Sequence, residues 1–307
     1  MSALTASGFH AGELLVQQRA GVAQDAARLE GMLRPAQLDG GPATWLAGRT
    51  FAVLSARDCN GRLWTAPLVG APGFLQPHGA TLNVVAVPDQ RGPLGQPLVG
   101  GPGGVIVVEF ATQRRLRING TLSVAVADHL VIEADQAYGN CPSYIQRRGL
   151  EVALGGSGDA APATAGDALT AAQRAVITSA DTFFLGTVHP ERGADTSHKG
   201  GAPGFVRVED DGSLWWPDYP GNNMFNSFGN LVENPEAALL FVDFATGRAL
   251  HISGTAELEW SAPGGPGDDG GTGRRVRVRP ERVVEVDLAL RAGLPQPSPD
   301  NPDLVST

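Results

Sequence analysis

Residues 181–254 read DTFFLGTVHPERGADTSHKGGAPGFVRVEDDGSLWWPDYPGNNMFNSFGNLVENPEAALLFVDFATGRALHISG, and this stretch decides the fold. Residues 182–188 form a run rich in aromatic and β-branched side chains, which composition assigns to a strand. A polar turn follows, and then Ser197-His198-Lys199-Gly200-Gly201. Two more strand-like segments, 204–208 and 213–216, lead into Asp218-Tyr219-Pro220-Gly221-Asn222-Asn223. A short amphipathic segment at 224–233 precedes two further strands joined at Ala245-Thr246-Gly247-Arg248. Small residues, one cation and a group of amides thus fall where strands end. That placement suits a phosphorylated, planar ligand.

Outward from this stretch, the chain repeats itself. Ala202-Pro203-Gly204-Phe205 has a copy 131 residues earlier, at Ala71-Pro72-Gly73-Phe74. FATGRALHISGT at 244–255 has a counterpart 134 residues earlier, FATQRRLRINGT at 110–121. A period of domain size indicates a tandem duplication and not a solenoid. Strand-like segments at 50–56, 63–69, 81–87, 105–110, 116–126 and 130–133 are separated by turn residues, which indicates a barrel or sandwich and not alternating βα units. The fold expected is therefore mainly β, two tandem barrels packed about a pseudo-twofold axis with a ligand cleft between them.

The expected order is a helical extension at 1–48, a first barrel at 49–154, a linker and helix at 155–180, a second barrel at 181–290 and a disordered tail at 291–307. Leu14, Leu15, Gln18, Val22, Ala26, Leu29 and Leu33 recur at three- and four-residue steps and predict one amphipathic helix over 10–34, closed by Pro35. The Gly- and Ala-rich run 155–168 reads as a linker, 168–179 as a short helix and 262–273 as a flexible loop. The residues beyond Gly293 are Pro-rich, which predicts disorder.

The 307 residues are enough for two ordinary domains, and 42% hydrophobic against 18% charged content supports a sizeable core. Gly (41) and Pro (23) make up about a fifth of the chain, as expected for short strands joined by tight turns. A net charge of −9 argues against nucleic acid as a partner, since no basic stripe exists to neutralise phosphates. The clusters Arg114-Arg115-Leu116-Arg117, Arg147-Arg148 and 274–279 alternate with apolar positions and read as solvated strand faces. No run of about 18 apolar residues suggests a membrane span, and no secretory signal precedes the first helix. Cys59 and Cys141 have no zinc-type spacing, so a reducing, cytoplasmic setting is expected.

On an extended backbone Ser197 and Lys199 share one face and His198 takes the other. A hydroxyl, an ammonium and glycine N–H groups together suit a phosphate dianion; the alternative is a solvated hairpin end. A Ser–His–Asp triad from Asp195, Ser197 and His198 is poor, because close neighbours on one strand do not converge. Gly100-Gly101-Pro102-Gly103-Gly104 precedes a strand, so it is not a dinucleotide fingerprint. Cys141 would be reactive beside a cation such as Arg147, and is otherwise an inert, buried thiol.

SHKGGAPGFVRV, DYPGNNMFNSFGNL, ENPEAALLFVDF and LHISGTAEL together resemble the pyridoxamine 5′-phosphate oxidase-like FMN-binding split barrels, and YGNCPSYIQRR at 138–148 resembles a further segment of that family. The resemblance spans roughly residues 50–286. It implies one FMN per chain, held between the barrels by Ser197, His198, Lys199, Gly200, Asn222, Asn223, Ser227 and Asn230 of the second half. Asn140, Cys141, Tyr144, Gln146 and Arg147 of the first half would approach from across the axis. Ser143 stands where relatives carry a lysine. The implied activity is a flavin-dependent oxidoreductase acting on a small molecule, with NAD(P)H or another electron donor as partner. The chain would be a monomer of pseudo-dimeric halves or a homodimer. Two alternatives stand beside it: a haem-binding relative with His198 or His251 as iron ligand, and a flavin-binding redox sensor without turnover.

Overall fold

A computed structural model describes residues 8–126, 128–152 and 162–305. Three short helices come first: α1 (Ala11–Arg19), α2 (Ala23–Ala27) and α3 (Gly41–Ala47). The single helix expected over 10–34 is therefore broken. Gly21 adopts φ +72°, a left-handed turn that separates α1 from α2. Leu14 and Leu15 are about half exposed, whereas Val16 and Gln17 are buried, so α1 buries a different stripe from the one the spacing suggested.

The first half then builds β1 (Phe51–Arg57), β2 (Leu63–Val69), β3 (Leu75–His78), β4 (Thr81–Val84), β5 (Pro102–Glu109), β6 (Arg114–Val126) and β7 (His129–Gly139). Short β8 (Leu150–Val152) and β9 (Thr164–Gly166) lead to α4 (Ala171–Ser179). Thr170 and Gln173 close a capping box on α4, which fixes where that helix starts. The second half repeats the pattern with β10 (Thr182–His189), β11 (Gly193–Gly200), β12 (Arg207–Val208) and β13 (Leu214–Pro217). Helix α5 (Asn226–Glu233), β14 (Glu236–Asp243), β15 (Arg248–Trp260), β16 (Arg274–Asp287) and β17 (Leu290–Ala292) complete it.

The two large sheets have the same strand order. The first runs β2-β1-β5-β6-β7-β4-β3 and the second β11-β10-β14-β15-β16-β13-β12. Every pairing is antiparallel, and both long central hairpins carry a register shift at the matching place, Asn119/Gly120 and Ser253/Gly254. The halves are two split barrels in tandem. Their mutual contacts are reciprocal: β11 packs on β5 and β6, while β2 packs on β14 and β15. Such exchange is what a pseudo-twofold axis produces.

Side-chain alternation assigns the core. Phe183, Leu185, Leu239 and Phe241 fill the second barrel, whereas their strand neighbours Phe184 and Leu240 turn outward and join Phe51, Phe110 and Phe244 between the barrels. Two expectations about irregular segments need correction. Thr164–Gly166, expected as linker, pairs with β16 at residues 283–285; residues 155–161 of that linker lie outside the described residues. Residues 294–305, expected to be disordered, are held down. Gln296 and Arg147 exchange two backbone hydrogen bonds (2.8 and 2.9 Å), Ser298 is buried, and Val305 N–H donates to Asp269 at 2.7 Å. Among the described residues no helix is long and apolar enough to cross a membrane.

Candidate functional site

A cleft opens between the barrels at the end of β11, with about 1020 Å³ of empty space out to its mouth. β11 supplies one wall. Ser197 and Lys199 lie on one face of that strand and His198 on the other, as the strand period requires. The opposite wall is β6 of the first barrel, which brings in Arg115 and Arg117. Asn140, Cys141, Ser143 and Tyr144 also line it, as does the segment 216–228, which Tyr144 meets through its hydrogen bond to Pro220 O at 2.7 Å.

The backbone here is strained in a directed way. Tyr144, Asn223 and Phe225 have φ of 66°, 59° and 58°, and all three line the cleft. Non-glycine residues hold this left-handed conformation only where surrounding contacts enforce it. Phe225 is also the N-cap of α5 and offers no side-chain cap, so the first N–H groups of that helix are left facing the cleft end.

Polar contacts converge on Arg117, which is only 6% exposed. Its guanidinium donates to Ser197 Oγ (2.5 Å), Asp195 Oδ1 (3.2 Å), Tyr138 Oη (3.2 Å) and Asn226 Oδ1 (3.3 Å). Ser197 and Ser227 hydroxyls lie 2.7 Å apart. Asp195 is further held by Asn119 and by Asn230, whose amide donates at 2.8 Å. Arg115 donates to His198 Nδ1 at 3.1 Å, so that nitrogen is an acceptor and Nε2 carries the ring proton. Burial, with Arg115 beside it, holds His198 well below its ordinary pKa, so the ring is neutral.

The Lys199 ammonium makes no hydrogen bond or ion pair with any described residue and lies 5.1 Å over the Phe228 ring. Burial pulls its pKa down to about 8, with Asp218 opposing the shift. Asp218 itself pairs with Arg274 at 2.9 Å. With Asp195 and Asp218 matched by Arg117 and Arg274, the cations Arg115 and Lys199 are left over. Two cations of the cleft are thus left without a carboxylate partner among the described residues.

Six side chains lining the cleft carry a buried polar atom without a partner: Arg115 Nε, Arg117 Nε, Asn140 Oδ1, His198 Nε2, Trp216 Nε1 and Tyr219 Oη. Buried polar groups are normally satisfied, so these atoms leave hydrogen-bonding capacity that a polar group in the cleft could take up. Aromatic surface accompanies it, from Tyr144 and Tyr219 (5.0 Å between centroids), Trp216, Phe225 and Phe228. The residues present fit a phosphorylated, planar, heteroaromatic group.

Of the residues the sequence singled out, Ser197, His198, Lys199, Gly200, Asn222, Asn223, Ser227, Asn140, Cys141 and Tyr144 all line this cleft. Three do not. Asn230 sits behind it, bonded to Asp195, Thr187 and His10. Gln146 is buried under the tail, bonded to Ser298 and Asn301. Arg147 is exposed and reaches Gln113. Cys141 is half-buried with Sγ 3.0 Å from Ser143 Oγ, and Arg147 is not among its partners. The reading of the arginine clusters as solvated faces fails at Arg117 and Arg148, both buried. Arg148 pairs with Asp181 at 2.5 Å, and Arg274 lines the cleft. Sequence reasoning missed Arg115, Arg117 and Arg274, because a cation on an alternating strand looks the same whether its face meets water or another barrel.

His251, the other candidate iron ligand, does not line the cleft. It is 1% exposed, donates Nδ1–H to Thr65 O at 2.8 Å, and is held by burial at about 4.

Residues 169–264, from the approach to α4 through β15, match the family model described as pyridoxamine 5′-phosphate oxidase. The second barrel is pyridoxamine 5′-phosphate oxidase-like. A search of curated proteins gives no match. Among solved structures, the chain is similar to HupZ of Group A Streptococcus, with 15% identity over 38% of this chain and 92% of that one, and a TM-score of 0.30. A putative pyridoxamine 5′-phosphate oxidase from Lactobacillus delbrueckii gives 17% identity over 38% and 93%, with a TM-score of 0.31. HutZ, a heme storage protein from Vibrio cholerae, gives 14% over 36% and 89%, with a TM-score of 0.28. In the pyridoxamine 5′-phosphate oxidase-like barrel the matched region contains Ser197, Lys199 and the α5 N-terminus; Arg115 and Arg117 come from the first barrel.

Proposed function

We propose that the cleft binds FMN, one per chain, and that the protein is a flavin-dependent oxidoreductase acting on a small molecule. The observation that carries this reading is the convergence of unpartnered polar atoms and two unmatched cations on one aromatic-walled cleft. Lys199, Arg115, Ser197, Ser227 and the first turn of α5 would hold the phosphate, with Arg117 orienting both hydroxyls. Trp216 Nε1, Tyr219 Oη, Asn140 and His198 Nε2 would meet the polar edges of the ring system. A bound flavin supplies one- and two-electron redox chemistry, while the protein orients, desolvates and tunes. Neutral His198 donates from Nε2 and leaves no lone pair there for a metal, which favours the flavin over haem in this cleft.

The visible absorption spectrum of the purified protein tests this reading, together with identification of whatever heat releases. Two bands of a yellow flavoprotein and free FMN in the supernatant are expected. A single intense Soret-type band would move the reading to haem, and a colourless protein that takes up no flavin would remove it. Bleaching by NAD(P)H at a catalytic rate then separates an oxidoreductase from a flavin-binding sensor.

A further inference from the structure

The N-terminal helix reaches the anion side of the cleft through one carboxylate. Gly12 of α1 and Gly229 of α5 bring the two helices into backbone contact. A Cβ on Gly12 would lie 2.3 Å from Gly229 O, and one on Gly229 would lie 2.6 Å from Glu13 N. Gln17 donates to Met224 O at 3.2 Å, fixing the segment just before α5. Between these points Glu13, 3% exposed, has both carboxyl oxygens engaged. Oε2 accepts from His10 N–H at 2.8 Å, and Oε1 accepts from Asn226 Nδ2. The other end of the same amide, Asn226 Oδ1, accepts from Arg117, which in turn holds Ser197.

We propose that Glu13 is a positioning residue of the anion site, acting through Asn226 on Arg117, and that loss of its proton weakens the hold on a phosphorylated ligand. The inference rests on the FMN reading of the cleft. The amide of Asn226 has one orientation in which Oδ1 faces Arg117, and Glu13 enforces it by accepting from Nδ2. Ionised, the same carboxylate adds a negative charge beside a site that receives a dianion, in surroundings of low dielectric. The groups facing Glu13 leave that charge under-compensated. Asp195 of β11 and Glu233 of α5 are acidic, and Tyr138 of β7 is neutral. His10 and His189 of β10 are both depressed by burial, His10 to about 4. Arg117 of β6 is already matched to Asp195, and Arg192 lies in the β10–β11 turn. Burial accordingly raises Glu13 to about 7, so its charge changes in the neutral range.

The test is FMN affinity of the apoprotein, read by flavin fluorescence quenching between pH 6.0 and 7.8, for wild type, Glu13→Gln and Glu13→Ala. Wild-type affinity should fall by about threefold to tenfold across this range beyond the change common to all three proteins from the ligand's own second ionisation near pH 6. Glu13→Gln, which keeps an oxygen for Asn226, should retain pH 6.0 affinity and lose that fall. Glu13→Ala, which leaves Asn226 unheld, should bind more weakly at every pH and also lose it. A folded variant of either kind that keeps the wild-type pH profile overturns the proposal. Wild type that binds no FMN overturns the cofactor reading instead; the same three proteins titrated with inorganic phosphate, read as a shift in melting temperature, then decide the role of Glu13 by the same criterion.

Discussion

Thr65 and Thr196 occupy the same position in the two barrels, and each fastens the other barrel. Thr196 Oγ1 donates to Gly104 O at 2.6 Å, and Thr65 Oγ1 to Ala238 O at 3.4 Å. In the strand registers Thr65 pairs with Ser55 and Ser55 with Gly104, while Thr196 pairs with Gly186 and Gly186 with Ala238. The pseudo-twofold axis therefore passes beside Ser55 and Gly186. The symmetry is broken there by necessity: a Cβ on Gly186 would lie 2.4 Å from Thr65 Oγ1 and 2.5 Å from Ser55 Oγ. Only one of the two matching positions has room for a side chain.

Replacing either partner at this axis should destabilise the whole chain. Thr196→Val removes the hydroxyl that donates to Gly104 O and lies 2.7 Å from Ser55 Oγ, two buried contacts whose loss costs about 1–3 kcal/mol. Gly186→Ala overpacks the axis, at a similar cost of about 1–3 kcal/mol. Denaturant unfolding measures both. An unchanged midpoint for Gly186→Ala would show that the barrels separate easily, contrary to the close approach.

Flavin stoichiometry should be one per chain, because the mirror image of the cleft has lost its cations. The strand registers match Lys199 with Leu68, Ser197 with Ala66, Arg115 with Ala249 and Arg117 with His251. All four replacements are buried, and His251 is neutral. Nothing there would compensate a dianion. Flavin and protein quantified in the same sample should approach a ratio of one at saturation; a ratio near two would contradict the filled mirror site.

The duplication and the strands were legible because FATxR and APGF recur in order and because turn residues punctuate short apolar runs. The second-barrel side of the cleft was legible too, since Ser197, Lys199 and the paired asparagines are polar residues at strand and helix ends. What stayed hidden depended on the partner barrel. Arg115 and Arg117 look like solvated residues until β11 packs over β6. Residues 294–305 read as a loose tail, because the Gln146 amide that fastens them lies some 150 residues away and carries no local signal. Glu13 gave no signal, because the stripe that the spacing placed on this helix, with Leu14 and Leu15, is not the one α1 buries.

The tail should stiffen the cleft wall through Gln146. Its amide donates to Tyr144 O (3.1 Å) and to Asn301 Oδ1 (2.9 Å), while its oxygen accepts from Ser298 N–H (2.7 Å) and the Asn301 amide (2.9 Å). Gln146→Ala frees the tail and removes one restraint on the positive φ of Tyr144. Limited proteolysis should then cut within 294–305 at a faster rate, and flavin dissociation should speed up several-fold. Equal rates of both in wild type and variant would assign the tail no part in holding the cleft.

Lys199 should give the site an alkaline limit. Burial depresses its ammonium to about 8, and a neutral amine gives the phosphate no charge. FMN affinity should therefore be level up to about pH 8, apart from the Glu13 effect below it, and then fall by up to about tenfold per pH unit. Riboflavin, which lacks the phosphate, should show no such fall. Lys199→Ala should weaken FMN binding by about ten- to a hundredfold at pH 7 while leaving the fold intact, since no described residue depends on the ammonium for a hydrogen bond. The apoprotein carries the opposite signature. The folded pKa lies below the unfolded one, so between about 8 and 10.5 the unfolded chain binds more protons, and folding stability gains with rising pH through that window. Chemical denaturation of wild type and Lys199→Ala at pH 7.5 and 10 resolves this gain. A wild-type increment that persists undiminished in the variant would mean that Lys199 is ordinarily solvated and that the phosphate sits elsewhere.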